Sequence, residues 1–365
     1  MRAPEFWHAS GGPIAGVIAG LLAPLGAAWD AAGRLHRAVA RPYRAPVAVI
    51  CVGNLVAGGS GKTPVVLSLA ERLAAMGVDA HVVTRGYGGR LAGPVAVDPA
   101  RHDADAVGDE ALLIAAQAPC WLARDRAAGV RAAVAAGADA ILMDDGFQNP
   151  CVEKHLALVV VDSDYGFGNR RVIPAGPLRE SITRGLARAD AIVLLGEAAA
   201  PAELSASGRP ILRATLESVQ SDNPGQNLAG APVVAFAGIG RPEKFVASLR
   251  RAGATVVAAR PFPDHHRFAD REIAGLQREA ERAGARLVTT AKDWVRLAPT
   301  MRAGTVVFEV EIEWRDGAAV TRLLSETLRR TRGGPDLHGP DLHGPDPHGR
   351  DHGPAHRYDR SAACG

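Results

Sequence analysis

The chain has 365 residues, 47% of them hydrophobic and 22% charged, which is enough for two packed domains and excludes a disordered chain. Its 42 basic and 39 acidic residues leave a net charge of +3, too balanced for a nucleic-acid binder. Cys51, Cys120, Cys151 and Cys364 form no C-x-x-C pair, which argues against a zinc or redox motif; the first three sit in or beside apolar runs and read as buried free thiols.

Residues Ala9 to Trp29 carry no charge, about the length that spans a bilayer core. Glycines and two prolines interrupt the stretch, so a helix lying on the surface is expected in place of a straight span. Arg34, Arg37, Arg41 and Arg44 follow, and an apolar helix with a basic flank suits an anionic membrane surface. Residues 1–45 therefore read as a membrane-associated helical segment. From Pro46 the chain alternates short Val/Ile-rich runs with helical stretches: "PVAVICVGN", "DAHVVT", "CWLA", "ADAILMDD", "LALVVVD" and "ADAIVLLG". That pattern predicts an α/β domain over 46–208, a P-loop NTPase-type parallel sheet flanked by helices. The less regular stretch 197–230 reads as a joint. A second series, "PVVAFAGIG", "ATVVAA", "ARLVTTA" and "TVVFEVEIE", predicts a smaller α/β domain over 209–332. Residues 333–365 repeat Gly, Pro, Asp and His with almost nothing apolar, so a disordered tail is expected there.

The stretch "VGNLVAGGSGKTP" between a strand and a helix has the context of a phosphate-binding loop. Gly58, Gly59, Ser60 and Gly61 let the backbone N–H groups face an anion. Lys62 reaches the phosphates, and the Thr63 hydroxyl suits Mg²⁺. The first glycine of the usual pattern is replaced by Val56, so the entry to the loop must use ordinary backbone angles. Asp144 and Asp145 end an apolar strand, where Mg²⁺ and phosphates gather in parallel sheets. "VGDE" puts Asp109 and Glu110 at a helix start, a pattern that simple capping also explains. "PFPDHHRF" puts Asp264, His265 and His266 just after a strand of the second domain, and a histidine beside a carboxylate is a tunable base.

Taken together, "VGNLVAGGSGKTP", "TRGYGG", "VGDE", "DDGFQ", "PAGPLRES", "AGIGRPEKF", "FPDHHRF" and "TAKDWVRL" resemble the tetraacyldisaccharide 4'-kinase family, in family order across nearly all of 7–330. The resemblance implies ATP-dependent phosphorylation of the 4'-hydroxyl of an acylated glucosamine disaccharide 1-phosphate, with Mg²⁺, at the cytoplasmic face of a bacterial inner membrane. By the same resemblance Asp109 is the catalytic carboxylate and pairs with a histidine, assigned to His265 over His266. Glu110 and Glu180 are acids near the metal with Thr63, and Asp144 and Asp145 stand behind the phosphates. Arg85, Tyr87, Arg179 and Ser181 lie in acceptor-site segments. Many relatives carry histidine after "DDGFQ", where this chain has Asn149. A soluble kinase or an NTPase switch would share the loop, but a switch has no use for the "VGDE" and "PDHH" pair.

Overall fold

The structure is a computed structural model, and it describes residues 4–8, 12–219 and 227–332. The tail assigned to 333–365 lies outside the described residues. After α1 (Pro13–Val39) the chain enters β1 (Ala48–Gly53) and α2 (Lys62–Ala75). Then come β2 (Ala80–Thr84), β3 (Val95–Ala96), α3 (Ala104–Val107), α4 (Asp109–Ala115), β4 (Cys120–Leu122), α5 (Arg126–Ala135) and β5 (Ala140–Asp144). The first series closes with β6 (Leu156–Asp162), α6 (Ile182–Ala187), β7 (Ala191–Leu195), α7 (Ala202–Ala206) and β8 (Ile211–Ser218). The second runs β9 (Pro232–Ala237), α8 (Pro242–Arg251), β10 (Thr255–Pro261), α9 (Asp270–Arg282), β11 (Arg286–Thr290), α10 (Ala291–Trp294), α11 (Pro299–Arg302) and β12 (Thr305–Phe308). It ends with β13 (Val310–Trp314) and α12 (Gly317–Arg332).

Nine strands form the large sheet in the order β13-β8-β7-β6-β1-β5-β2-β4-β3. All its pairs are parallel except the two edges, β13 on β8 and β3 on β4. Strand β1 is buried along its whole length, as expected for a strand covered on both faces. Its Ile50 and Val52 pack with α2, α4 and α12, while Val49 and Cys51 pack with α5 and α6 on the other face. Four parallel strands, β10-β9-β11-β12, make the small sheet. Cys51 and Cys120 are buried free thiols as expected. Cys151 is buried as well.

The sheet pairing corrects the boundary placed at 208/209. β8 pairs with β7 in the large sheet, and β13 returns to pair with β8, Trp314 opposite Ala214. Ile312, Trp314, Val320, Leu324 and Leu328 are buried in the large lobe's core, and Trp314 donates to Ser68 Oγ of α2 at 2.8 Å. The small lobe thus comprises β9 to β12, inserted ahead of the last strand and helix of the large one. "TVVFEVEIE" reads as one strand because its β-branched run is continuous, yet β12 and β13 belong to different sheets with only Glu309 between them.

Helix α1 runs unbroken through Pro24 for 27 residues, and among the described residues it is the one helix long and apolar enough to cross a membrane. Ile14, Val17, Leu21, Leu25 and Trp29, spaced three or four apart on one face, are exposed. Its other face is stitched to the body. Arg171 donates to Ala19 O, Asp30 pairs with Arg184, and Arg37 lies 3.7 Å from Glu180.

Candidate active site

Residues 54–61 link β1 to α2 and form the phosphate loop. Gly58 and Gly61 adopt φ of 112° and 78°, which favour glycine. A Cβ at Gly61 would also sit 2.3 Å from Leu195 Cδ2. Val56 needs no such freedom. It is buried, bridges to Leu178, and the next residue, Ala57, donates its N–H to Pro177 O at 2.7 Å. The replaced glycine therefore anchors the loop's entry to the "PAGPLRES" segment. Two residues that the sequence did not single out shape the loop. Asn54, fully buried, donates to Ser60 Oγ at 2.8 Å, and Gln148 donates to Asn54 O at 2.9 Å. Asn54 was legible only as the polar end of an apolar strand.

Lys62 and Thr63 open α2, where the loop N–H groups and the helix end favour a phosphate. Lys62 Nζ lies 3.7 Å from Asp145 Oδ1, and Arg179 grips Asp145 with both Nη atoms at 2.7 and 3.0 Å. Burial pushes the Asp145 carboxyl up, but Lys62, Arg179 and Arg126 outweigh it and hold it at about 2. Asp144, 1% exposed, behaves oppositely. Thr84 donates to its Oδ2 at 3.1 Å, while Oδ1 is buried without a partner. Burial, then the charges of Glu110 and Asp145, push its carboxyl up to about 7. Two adjacent carboxylates thus divide into one satisfied by cations and one that lacks a cation.

The second cluster forms between the lobes. Gly108 holds a φ of 87°, and a Cβ there would lie 2.5 Å from Tyr87 O, so the "VGDE" and "TRGYGG" turns stack backbone on backbone. This aims Asp109, 3% exposed, at the small lobe. His265 Nδ1 meets Asp109 Oδ2 at 3.1 Å; Arg296 donates to the same carboxylate through Nε at 3.0 Å and through Nη2; Lys292 lies 3.9 Å away. Burial would raise the Asp109 carboxyl. The His265 hydrogen bond, Lys292 and Arg296 overcome that and hold it well below the usual carboxylate range. Arg296 is itself fixed by Asp293 Oδ1 and Gly238 O, both at 2.9 Å. Neither Lys292 nor Arg296 was singled out beyond their place in "TAKDWVRL". His265 sits at φ 58°, a left-handed position that costs a non-glycine residue about 1–3 kcal/mol. The Tyr87 ring, 67% exposed, lies 5.4 Å from the imidazole. His266 turns inward, stacked on Phe262 and 3.0 Å from Glu272 Oε2.

The other expected site residues divide. Glu110 pairs with Lys292 at 3.2 Å and its charge is felt at Asp144, so it lies between the two clusters. Glu180 does not join it. Glu180 is 1% exposed, held by Arg188 Nη2 at 2.6 Å to both oxygens, with Arg37 and Gln148 alongside. Two guanidinium groups already neutralise it, which corrects the expectation of a metal-side acid. Arg85 is exposed beside the buried Arg126, and Ser181 stands half-buried at the N-cap position of α6 without a side-chain capping bond. Asn149 accepts from Cys151 N through its side chain and from Lys154 through its carbonyl, both turn-forming contacts.

Arg296→Ala would leave Asp109 and Asp293 buried without their guanidinium, at a cost of about 3–5 kcal/mol by denaturant titration. Arg296→Lys should recover only part, because a point charge cannot reproduce the fork. The Asp109 contribution is full above its unfolded pKa of about 3.9 and fades as pH falls below it. Stability curves recorded across the acid range should therefore converge for wild type and Asp109→Asn at the lowest pH.

A sequence profile described as "Tetraacyldisaccharide-1-P 4'-kinase" matches residues 18–329. A tetraacyldisaccharide 4'-kinase of Rhodospirillum centenum is 53% identical over 339 residues, covering 93% of this chain and 99% of the relative. One from Dinoroseobacter shibae is 52% identical, covering 89% and 97%. The fold is similar to a crystal structure of LpxK from Aquifex aeolicus, described as an "apo" form in complex with ATP, with a TM-score of 0.69 at 24% identity over 85% of this chain and 99% of that one. With the profile spanning both lobes and relatives of this identity matched nearly end to end, the chain belongs to the tetraacyldisaccharide-1-phosphate 4'-kinase family.

Proposed function

We propose that this protein transfers the γ-phosphoryl group of ATP to the 4'-hydroxyl of a tetraacylated glucosamine disaccharide 1-phosphate, working at the cytoplasmic face of a bacterial inner membrane. The observation that carries the reading is the Asp109–His265 contact, made across the lobes from "VGDE" and "FPDHH". A nucleotide switch has no need of such a pair; an acceptor hydroxyl does.

The charges around Asp109 assign the roles within the pair. A carboxylate held low by Arg296 and Lys292 is a poor proton acceptor. It serves instead to accept the His265 Nδ1–H and fix that tautomer, which leaves Nε2 free to take the proton of the sugar hydroxyl. This tautomer is assigned from the hydrogen bond to Asp109. Tyr87, exposed over the imidazole, gives a sugar ring a surface to lie against. Lys62 and the loop N–H groups neutralise the transferring phosphoryl group, and Arg179 holds Asp145 where it braces Lys62. Mg²⁺ fits beside Asp144. The orphaned Oδ1, Thr63 and Glu110 would hold it, in the usual company of one or two carboxylates and substrate phosphates. When bound it would neutralise charge on the phosphates.

Purified protein, γ-labelled ATP and the lipid disaccharide 1-phosphate test the reading directly. Labelled lipid is the expected product, and labelling only of simple sugars would overturn the acceptor assignment. Asp109→Ala and His265→Ala are each expected to remove most of kcat, and the double variant should be little worse than either single one. Additive losses in log kcat would separate the two residues.

The raised Asp144 carboxyl gives a pH dependence. Below about 7 it carries a proton that the metal must displace, so Mg²⁺–nucleotide affinity should rise with pH up to about 7 and then level off. Asp144→Asn should flatten that slope in calorimetric titrations.

A four-chain acceptor lives in a bilayer, and the exposed stripe of α1 supplies an apolar face for it. Replacing both Leu21 and Leu25 by Glu should release the protein from anionic vesicles in sedimentation and lower turnover of lipid acceptor. Nucleotide affinity should hold. Wild-type protein that fails to sediment with vesicles would remove the membrane role of α1.

A further inference from the structure

"AGIGRPEKF" ends β9 and starts α8, and its Arg241 leaves the small lobe to reach the phosphate loop. Arg241 Nη2 donates to the carbonyl oxygen of Gly59 and lies 2.7 Å from Asp162 Oδ2. The guanidinium rests over the Tyr165 ring at 5.5 Å. Asp162 ends β6, the neighbour of β1, and is fixed from its own lobe by the N–H groups of Asp164 and Tyr165 at 3.0 and 3.1 Å. Lys244 covers the same acids, 2.7 and 2.8 Å from the Asp162 oxygens and 2.8 Å from Asp164 Oδ2. This is a second junction between the lobes, made of residues separate from those around Asp109.

We propose that Arg241 is a positioning residue for the nucleotide: by holding the Gly59 carbonyl, it keeps the phosphate loop in its anion-binding shape while the small lobe is docked. The inference rests on the kinase reading and adds a residue to it. A loop binds phosphate when its N–H groups point inward and its carbonyls outward. Side-chain packing does not enforce this at Gly58 and Gly59, because a Cβ built at either would meet nothing within 4 Å. Glycine peptides in open space turn over easily. A carbonyl turned inward would face the phosphate with a like partial charge. Arg241 takes the Gly59 carbonyl from outside, and Asp162 and Tyr165 fix the guanidinium in that place. Nucleotide binding and lobe docking then share one contact, so each favours the other.

The test compares Arg241→Ala, Arg241→Lys and Lys244→Ala in the full chain. Readouts are KM for ATP, kcat, and binding of ADP without acceptor. Arg241→Ala is expected to raise KM for ATP about tenfold or more and to weaken ADP by a similar factor, with a smaller change in kcat, because ground state and transition state lose the same loop shape. Arg241→Lys, which keeps a donor, should recover part of both affinities. Lys244→Ala touches the same acids but not the loop, and should leave KM within about twofold. Nucleotide affinities in Arg241→Ala within about twofold of wild type would overturn the proposal. So would an equal loss in Lys244→Ala, which would reduce the effect to lobe docking in general. A collapse of kcat at unchanged KM would overturn it too and move Arg241 onto the transferring group. If wild-type protein binds ADP in an Arg241-dependent way yet labels no lipid, the kinase reading fails and the positioning role stands.

Discussion

The structure turns on one buried carboxylate. Asp109 belongs to the large lobe, yet all three side chains that make its charge tolerable, His265, Lys292 and Arg296, come from the small lobe. An ion taken out of water costs several kcal/mol unless it is paired with good geometry. Docking of the small lobe therefore decides whether Asp109 is a stable anion. The dependence runs back into the backbone. Arg296 is held by Asp293 and by the carbonyl of Gly238 at the end of β9, and His265 N–H donates to that same carbonyl. One strand end thus sets both the cation and the imidazole on either side of the carboxylate.

A second set of contacts joins α1 to the phosphate loop. Trp29 donates to Arg179 O, and the Arg179 side chain grips Asp145, which lies beside Lys62. Arg37 reaches Glu180, to which Gln148 donates, and Gln148 also donates to Asn54 at the loop's start. Through Trp29, at the edge of the exposed stripe, the apolar helix is thus three polar contacts from Lys62. Its outer face carries the apolar stripe. Glu180 makes physical sense here as an anchor for arginines: a buried acid with two guanidinium partners ties α1 and α6 to the site.

Much of this was legible in the sequence because periodicity and motif context agree. The Val/Ile runs that read as buried strands are buried strands, and GKT falls between strand and helix as the pattern requires. Asp109 and His265 could be paired only through a family resemblance, since 156 positions separate them and no local signal links them. The boundary at 208/209 failed for a physical reason. A strand that leaves one sheet and a strand that enters another have the same β-branched composition, and Glu309 is too small a break to show. β8, "ILRATLES", was hidden because its burial is partial, which blurs the alternation that marks a strand. Arg241, Lys292 and Arg296 were invisible as site residues because a lone cation on a helix reads as a solvated face until its acid is seen.

Those cations also show how a chain with a net charge of only +3 distributes its charge. At the lobe boundary the charges separate by side. Arg241, Lys244, Arg267, Lys292 and Arg296 stand on the small lobe, against Asp162, Asp164, Asp105, Glu110 and Asp109 on the large one. The exposed pairs, such as Arg267 with Asp105, contribute little and are weakened by salt; the buried one at Asp109 is much less screened. Two chain crossings join the lobes, and they lie side by side, with Val219 N–H donating to Glu309 O at 3.1 Å. Any change in lobe orientation must be absorbed at that ribbon, which leaves the opposed charges to decide where the rotation stops. Lys62 at the phosphate loop belongs to the large lobe, whereas the small-lobe cations are committed to the boundary acids. Those cations therefore act on lobe docking and on the charge of Asp109, because removing the small lobe would leave the boundary acids without their partners.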